Sequence, residues 1–406
     1  MDDRPIVRTP TWLSRNVVLL SLSSLFGDVS TEMLYPILPV FLTQVLGANG
    51  SIIGLIEGVA QATQSVVQGL SGSMSDRLQR RKPIALAGFL LAALSKPLVG
   101  LSITWTAVLG ARFLDRIGAG ARSAPRDALI AALASESDRG KAFGLEGLGD
   151  NLGAFIGPLV SVFLLAVLVD MRIIFYLALI PGLLACVVVL MVREERTTTN
   201  LVSAKLSLSL GRFPPSYWRY PVAVAIFGVG NSSSAFLILQ SQSAGVSVAN
   251  TVLIYAGFNL VAALVSYPVG ALSDRVGRRT LLLAGLAVLC ISYLGFGLGQ
   301  QAFVIAVSFA GYGVYQGVSR AVGKSLAADL VPETLRASGI GWYSAVLGLS
   351  QLIASLVAGL LWDHVGHTAP FFWGAWSAVA GATTLAALVR AGSITRDSVT
   401  TESNTL

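Results

Sequence analysis

The chain has 406 residues, of which 54% are hydrophobic and only 12% are charged, whereas soluble domains carry about 25% charged residues. Long apolar runs recur from about residue 17 to residue 391, each near the ~20 residues needed to span a bilayer. This pattern excludes a soluble enzyme, a nucleic-acid-binding protein and a disordered chain, and it predicts a polytopic, all-α membrane protein. In such a protein the net charge of +7 is interpreted through the position of each charge, not as a sign of an acidic partner.

Charged and Gly/Pro-rich breaks divide the chain into twelve predicted transmembrane helices. A first bundle of six fills residues 17–192 and a second fills 218–390, with polar tails at 1–16 and 391–406 and a linker at 193–217. The spans are predicted at 17–45, 51–75, 83–103, 105–132, 140–169, 171–192, 218–243, 249–273, 280–299, 302–331, 336–362 and 370–390.

Lysine and arginine residues concentrate in one set of connections between the spans. Four lie at 77–82, five in the linker region at 193–219 and three at 275–279, whereas the opposite connections contribute only Arg172. Because basic residues are retained in the cytoplasm, this asymmetry predicts that both termini and the linker are cytoplasmic. We therefore expect a multi-pass protein of a bacterial inner membrane.

Span one carries two acids inside an apolar run. In the segment GDVSTEMLYPILPVF, the spacing places Asp28, Glu32 and Tyr35 on one helix face. Two carboxylates one turn apart repel each other, which favours protonation of one of them. Glu57 in span two is a further acid at bilayer depth, and Pro36 and Pro39 are expected to bend span one.

One loop sequence occurs twice, after the second and after the eighth span. GSMSDRLQRR at 72–81 is followed 198 positions later by GALSDRVGRR at 270–279. The doubled loop resembles the G-x-L-x-D-R-x-G-R-R/K signature of the major facilitator superfamily. The second copy is complete, whereas the first has Met74 in place of Leu and Gln79 in place of the turn glycine.

This resemblance implies two pseudo-symmetric six-helix bundles that rock about a central cavity lined by spans one, four, seven and ten. It also implies that Asp76 faces the start of span eleven, near Leu335, when a cytoplasmic gate closes. The residues assigned to this gate are Gly72, Asp76, Arg77 and Arg80 in the first copy and Gly270, Asp274, Arg275 and Arg278 in the second.

Span four, ARFLDRIGAGARSAPRDALIA, is the most charged segment at bilayer depth. At 100° per residue its charges, Arg112, Asp115, Arg116, Arg122, Arg126 and Asp127, share an arc of roughly 140°. Each charge at the centre of a span costs about 2.5–3.5 kcal/mol, so this face is predicted to avoid lipid. The segment is similar to the family's R-x-x-Q-G-x-G motif, with Asp115 replacing Gln and Arg116 replacing the first Gly.

An acid of span one that lies beside Arg112 or Arg116 would act as a proton switch, because protonation would release the arginine. The alternative is a fixed network of ion pairs that braces the bundle. The residues assigned to proton coupling are Asp28, Glu32, Arg112, Asp115 and Arg116.

Span five contains Gly144, Gly153, Gly157 and Pro158. Their spacing resembles most of the G-x8-G-x3-G-P-x2-G-G motif of drug/proton antiporters, although Ser161 and Val162 replace the closing glycines. The resemblance implies efflux. Close helix packing by glycines four residues apart explains the same pattern without any transport role.

The second half contributes fewer charges at bilayer depth. Span ten places Arg320 and Lys324 on one face, near Gln316, while span seven offers Asn231 and Gln240. The two cations either hold an anionic group of a substrate or pair with first-half acids when the halves close. The residues assigned to a substrate cavity are Tyr35, Glu57, Arg122, Arg126, Asn231, Gln240, Gln316, Arg320 and Lys324.

Together these patterns predict a secondary transporter, a monomer in the lipid bilayer that couples export of a small polar or amphipathic molecule to proton entry. A proton-coupled importer of an organic anion is one alternative, and a membrane-embedded lipid-modifying enzyme is another. The sequence has no Walker-type phosphate loop, so neither ATP nor a cofactor is expected. The outer-loop sequence Asp363-His364-x-x-His367 is interpreted as a solvated loop, and no metal site is predicted.

Overall fold

The computed structural model describes residues 13–78, 80–133, 139–167, 170–194, 213–332 and 335–388. These residues form fifteen α-helices and no β-strand. The helices are α1 (Arg15–Leu34), α2 (Leu38–Gln44), α3 (Gly50–Leu78), α4 (Arg81–Leu101), α5 (Trp105–Leu133), α6 (Arg139–Val167), α7 (Met171–Leu177), α8 (Leu179–Met191), α9 (Pro215–Gly228), α10 (Ser234–Ser243), α11 (Val248–Val276), α12 (Arg278–Leu298), α13 (Ala302–Asp329), α14 (Arg336–His364) and α15 (Ala369–Leu388).

Three predicted spans are each divided into two helices. Span one breaks between α1 and α2 around Pro36 and Pro39, because proline lacks the N–H that would continue the helical ladder. Span six is divided at Ala178, between α7 and α8. Span seven breaks without proline, and the hydroxyl of Ser233 accepts a hydrogen bond from the backbone N–H of Ala235 to cap α10.

Nine helical stretches among the described residues are long and apolar enough to cross a membrane. The predicted spans outside this set are α3, α5 and the α9–α10 pair. The predicted number of twelve spans is therefore not confirmed. For two of these three spans the cause of the low hydropathy is clear, because α5 carries the charged face and the α9–α10 pair carries the polar break.

The doubled loop corresponds to a structural repeat. Helices α3 and α11 both have 29 residues, and α4 and α12 both have 21. Nη1 of Arg81 donates to the carbonyl of Ala128 at 3.0 Å, and Nη1 of Arg278 donates to the carbonyl of Ser325 at 2.8 Å. The counterpart of Arg278 is therefore Arg81, and not Arg80 as the loop alignment predicts.

The lengths of the two connections explain this shift. Only Gly277 separates α11 from α12, and its φ of 94° lies in the left-handed region that favours glycine. Two residues separate α3 from α4, and Arg80, the second of them, has an ordinary extended φ of −132°. With one more residue in the connection, the chain enters α4 without the left-handed backbone conformation that requires glycine.

The halves of the chain meet mainly at one end of the bundle. We call the side where α1 begins and α15 ends the terminus side, and the other the opposite side. Helix α3 packs along α14, α6 packs along α11, and α2 contacts α10. The hydrogen bonds that join two described residues of different halves, such as those of Asp363 with Gly50 and Ser51, lie at mid-depth or on the opposite side.

Candidate functional site

Glycines allow α5 to lie deep between α3 and α4. A β-carbon on Gly118 would lie 2.5 Å from the backbone nitrogen of Ala92, and one on Gly120 would lie 2.7 Å from the carbonyl of Gln64. Most of the charged face of α5 is consequently buried, as predicted, although the side chain of Asp127 is 41% exposed. Arg112, Asp115, Arg122 and Arg126 are 1%, 3%, 7% and 8% exposed.

Asp115 is the centre of the first ion-pair cluster. Its carboxylate accepts from Arg112 at 2.9 Å, from Arg116 at 2.7 Å and from Lys96 of α4 at 3.1 Å. Arg112 also donates to Glu57 of α3 at 3.0 Å. Three cations therefore share two acids, which leaves this cluster, which we call the central cluster, with a net charge of +1.

Lys96 is not among the predicted site residues, although it lies in the apolar span three. A lone lysine in such a segment needs an acidic partner. Its partner is Asp115, on the neighbouring helix. Gln64 also escapes prediction, and its side-chain oxygen accepts from Arg116 at 2.9 Å.

A second cluster lies nearer the terminus side. Arg126 contacts the carboxylates of Glu146 at 2.6 Å, Asp127 at 3.0 Å and Asp150 at 3.5 Å, and it donates to the hydroxyl of Ser24 at 2.7 Å. One cation thus faces three acids. We call this group the terminal cluster.

Asp28 pairs with Arg122 at 3.0 Å, instead of with Arg112 or Arg116 as the sequence predicts. Helical periodicity gives the face of each residue, whereas the partner depends on depth. Helix α1 begins at Arg15 on the terminus side and α5 ends there at Leu133, which places Asp28 and Arg122 at similar depths. Arg112 lies almost three turns further along α5 from that end, roughly 15 Å deeper than Arg122.

The guanidinium of Arg122 is further held by its surroundings. It lies over the ring of Phe89 at 4.5 Å from the ring centroid, which is a cation–π contact. It also occupies the space beside Gly27, where any β-carbon would collide with it.

Glu32 and Glu57 connect the two halves. The hydroxyl of Tyr255, in α11, donates to Glu32 at 3.0 Å. The hydroxyl of Ser233, in the break of span seven, donates to Glu57 at 3.1 Å. Tyr35 shares a hydrogen bond of 2.9 Å with Ser233 and stacks on Tyr255. The sequence offers Ser233 only as part of the polar Ser232–Ser234 run of span seven, and Tyr255 escapes prediction, because these contacts join residues of different halves that are far apart in sequence.

Glu32 differs from the other acids near the centre. Within the described part of the chain it makes no ion pair at hydrogen-bonding distance, although Arg116 and Arg320 lie within electrostatic range of its carboxylate. These two arginines approach from different halves. Glu32 therefore lies between the two walls of the predicted cavity.

Asn231 and Gln240 use their amides inside the second half. Asn231 accepts from the hydroxyls of Tyr293 at 2.9 Å and Tyr312 at 3.2 Å, and it donates to Tyr315 at 3.2 Å. Gln240 donates to a backbone carbonyl at 2.9 Å, and both amides are nearly inaccessible to solvent. In this conformation neither amide faces an open cavity.

Arg320 and Lys324 are exposed on α13, and neither makes an ion pair with a described residue. Gln316, half-buried, lies on one stripe with Tyr312 and Arg320, because the three are spaced by four residues. The stripe leads from the tyrosine cluster around Asn231 towards the terminus side. Arg320 and Lys324 form what we call the basic wall of the second half.

The glycines of span five pack against the acids of span one. A β-carbon on Gly153 would lie 2.8 Å from Cβ of Asp28, and one on Gly157 would lie 2.8 Å from Cβ of Glu32. Gly144 has open space around it, and Pro158 lies within α6. The motif therefore splits into two packing glycines and one glycine without a packing role.

The predicted gate is described only in part. Arg80 and Arg275 are exposed, Gly270 has open space around it, and a β-carbon on Gly72 would meet Ala124 at 3.2 Å. Arg278 forms an ion pair with Asp329. The side chains of Asp76, Arg77 and Asp274 lie outside the described residues, so the predicted contact of Asp76 near Leu335 stays a prediction.

No group of three potential metal ligands occurs among the described residues. Asp363, from the outer-loop sequence, instead accepts hydrogen bonds from Gly50 and Ser51. A small apolar pocket lies between α9, α12, α13 and α15, where Tyr220, Leu286 and Val318 line it. It has no charged lining and lies apart from the ion-pair clusters, so it is not a candidate for the site.

Sequence and structure comparisons agree with this architecture. The family model described as Major Facilitator Superfamily matches residues 20–239 and 222–404. The chain is 33% identical over 361 residues to an uncharacterized MFS-type transporter of Methanocaldococcus jannaschii, covering 86% of this chain and 89% of that protein. It is 28% identical over 352 residues to a probable 4-methylmuconolactone transporter of Cupriavidus pinatubonensis, covering 80% of this chain and 78% of that protein.

Among solved structures, that of a D-xylose-proton symporter superposes with a TM-score of 0.77 at 16% identity, covering 94% of this chain and 98% of that chain. At this identity the likeness concerns the fold alone.

Proposed function

The chain belongs to the major facilitator superfamily, a family of transporters and not of enzymes, and we propose that it exports a small polar or amphipathic molecule in exchange for protons. Family membership overturns the alternative of a lipid-modifying enzyme. In this proposal twelve spans form two bundles, at 17–192 and 218–390, that alternate in opening to the two sides of the membrane. The terminus side faces the cytoplasm, because the basic loops lie there.

The contacts between the halves support alternating access. They hold the opposite side closed, through α2 with α10 and α3 with α14, while no hydrogen bond between two described residues joins the halves on the terminus side. This arrangement corresponds to a carrier that is open to the cytoplasm. Substrate enters from that side, and export requires the seams on the opposite side to separate.

The position of Glu32 is the observation that carries proton coupling. Its carboxylate lies between the halves with a tyrosine hydroxyl as its hydrogen-bond donor and no ion-pair partner among the described residues. A carboxylate in such a place is stabilised either by a proton or by a cation that comes within reach. Closing the cavity removes water from around the Glu32 carboxylate, which disfavours its charged form. Proton uptake and closure therefore favour each other.

Asp28 supplies a second acid one turn away, and its charge holds Arg122. Protonation of Asp28 would free the guanidinium of Arg122 to move with α5. Because Gly153 and Gly157 hold α6 directly against Asp28 and Glu32, a change at these acids is passed to α6 by contact. The antiporter-like glycines thus act, in this proposal, through the acids of span one.

Transport in proteoliposomes tests the proposal. A substrate is first found by ligand-dependent thermal stabilisation across drugs, organic acids, sugars and metal chelates. We expect its flux to depend on an imposed pH gradient in the wild type, and Glu32→Gln to remove that dependence. Asp170→Asn is the control, since the contact that Asp170 makes among the described residues is with the backbone N–H of Arg172, in the first turn of its own helix. If collapse of the gradient and neutralisation of both Asp28 and Glu32 leave transport unchanged, proton coupling is wrong.

Proton-coupled import of an organic anion is the second candidate, and the basic wall favours it. Arg320 and Lys324 are exposed and make no ion pair with a described residue, so an anionic group could bind there. The direction of flux separates the two functions. Accumulation of substrate inside vesicles under an inward proton gradient selects import, and expulsion under the same gradient selects export.

A further inference from the structure

Asp363, at the end of α14, caps the first turn of α3 in the other half of the chain. Oδ1 accepts from the backbone N–H of Gly50 at 2.7 Å, and Oδ2 accepts from the backbone N–H and the hydroxyl of Ser51 at 2.7 and 2.5 Å. The first N–H groups of a helix lack partners within the helix, and a negative charge there is favourable. One carboxylate of the second half thus makes three hydrogen bonds to the first half.

The two helices approach closely below this cap. A β-carbon on Gly54 would collide with the carbonyl of Ser355, and one on Gly359 would lie 2.5 Å from the carbonyl of Gly50. A β-carbon on Gly58 would lie 2.8 Å from a side-chain methyl of Leu352 and 3.1 Å from its carbonyl oxygen. Such contacts exist only when the backbones are in register, so α3 and α14 either fit together along this line or separate.

The same face of α3 carries Glu57. Gly50, Gly54, Glu57 and Gly58 follow the i, i+4, i+7, i+8 spacing of one helix face. Ser355 of α14 accepts from the backbone N–H of Ser233 at 3.3 Å, and Ser233 donates to Glu57 at 3.1 Å. The cap, the glycine contacts and the Glu57 contact therefore form one continuous seam between the halves.

The repeat-related seam between α6 and α11 is built differently. Both helices have a local cap, since Asn49 accepts from the N–H of Ile52 in α3 and Ser247 accepts from the N–H of Asn250 in α11. Among the described residues, α3 alone has a second cap from the other half. Within the described residues, the hydrogen bond of α11 across the seam is the one from Asn259 to the carbonyl of Ala154 at 3.2 Å. A charged cap between the halves thus belongs to the α3–α14 seam.

We propose that Asp363 is a positioning residue that holds the opposite side closed by capping α3, an inference that rests on the proposed alternating access. Opening that side withdraws the carboxylate from three donors at once. The cap is made in one conformation and lost in the other. The free energy of the cap therefore favours the conformation in which the opposite side is closed. The capped turn of α3 lies two turns from Glu57, a member of the central cluster, so α3 connects the cap directly to that cluster.

The test is a distance measurement between two spin labels on the opposite side, in protein reconstituted without substrate. Labels are placed at Ile103→Cys and Gln300→Cys, two exposed positions in the loops after α4 and α12, with Cys186 and Cys290 replaced by Ser. Because Asp363 is exposed, we expect Asp363→Asn to raise the ratio of the long to the short distance about two- to fivefold, the range for a carboxylate at an exposed helix N-terminus. Ser51→Ala removes one of the three bonds and is expected to give a smaller shift in the same direction.

Asp170→Asn is the matched control, an acid on the same side that caps a helix within its own half. It is expected to leave the ratio unchanged, and the thermal midpoints of the variants show whether general stability is affected. Equal shifts in Asp170→Asn and Asp363→Asn overturn the proposal, as does an unchanged ratio in both Asp363→Asn and Ser51→Ala. If Asp363→Asn does not fold, Ser51→Ala decides.

This experiment separates the cap from the function on which it rests. If both distances are observed but their ratio is the same in the wild type and in Asp363→Asn, only the role of the cap is overturned. A single population in every variant, at every pH between 5 and 8, overturns alternating access as well.

Discussion

The two halves of the molecule use equivalent positions for different chemistry. Helices α3, α4 and α5 of the first half correspond to α11, α12 and α13 of the second. The glycine contacts confirm the register, since Gly120 faces the carbonyl of Gln64 and Gly317 faces that of Ala262. The charged residues of the first half and their counterparts in the second are Lys96 and Tyr293, Asp115 and Tyr312, Arg112 and Phe309, and Glu57 and Tyr255.

Charged groups and aromatic rings give these equivalent positions different properties. In the first half the arrangement is held by charge, since Asp115 balances three cations. In the second half the hydroxyls of Tyr293 and Tyr312 instead donate to the side-chain oxygen of Asn231, an uncharged amide. The first half is therefore organised by ion pairs, while the second half is organised by hydrogen bonds between uncharged side chains.

Removal of Arg112 is expected to have the largest effect. Arg112→Leu leaves Glu57 and Asp115 with fewer partners at a site that is 1% exposed, and breaking a buried ion pair costs about 3–5 kcal/mol. At the equivalent position, Phe309→Leu is expected to cost less, because it removes apolar volume without leaving a charge unpaired. Thermal unfolding of the two variants in detergent gives the comparison. If Arg112→Leu and Phe309→Leu lower the thermal midpoint equally, the buried charges do not make the first half more sensitive to substitution than the second.

Asn231 tests the framework of the second half. Asn231→Leu removes the partner shared by the hydroxyls of Tyr293, Tyr312 and Tyr315, and we expect a cost of about 1–3 kcal/mol, less than for Arg112→Leu because no charge is left unpaired. We expect a lower thermal midpoint but an unchanged dependence of transport on pH. A changed pH dependence would mean that the second half also takes part in proton coupling.

A methyl group at Gly157 tests the close packing of α6 against α1 with the smallest expected effect. Gly157→Ala places the new carbon 2.8 Å from Cβ of Glu32, and overpacking costs about 1–3 kcal/mol, partly offset by the ~1 kcal/mol by which alanine favours a helix. Gly144→Ala meets no atom within 4 Å and is expected to be neutral or slightly stabilising. If Gly157→Ala and Gly144→Ala change the thermal midpoint by the same amount, packing against the acids of span one does not explain why the motif has glycines.

Much of this architecture is predictable from the sequence, because hydrophobic runs and helical periodicity are local properties. The apolar runs predict the positions of the helices, and the 100° periodicity of span four correctly predicts the burial of Arg112, Asp115, Arg122 and Arg126. The positions of Pro36 and Pro39 likewise agree with the predicted bend in span one.

The partners of these charges are harder to predict because they depend on relative depth and on contacts between halves. The sequence pairs Asp28 with Arg112 or Arg116, but the antiparallel register of α1 and α5 places it level with Arg122. Ser233 shows no charge pattern in the sequence, and its role follows only from the break in span seven. The sequence correctly predicts that Asp363 is exposed to solvent, but it gives no sign that Asp363 caps α3, because the capped turn is far away in sequence.

The basic wall of the second half also has a consequence for the electrical behaviour of the protein. Arg320 makes no ion pair at hydrogen-bonding distance with a described residue, and its side chain is exposed. A unit charge that crosses the whole membrane potential changes its energy by about 2.3 kcal/mol per 100 mV. Any rocking of α13 that moves Arg320 along the membrane normal therefore makes the conformational equilibrium depend on voltage, even with no substrate bound.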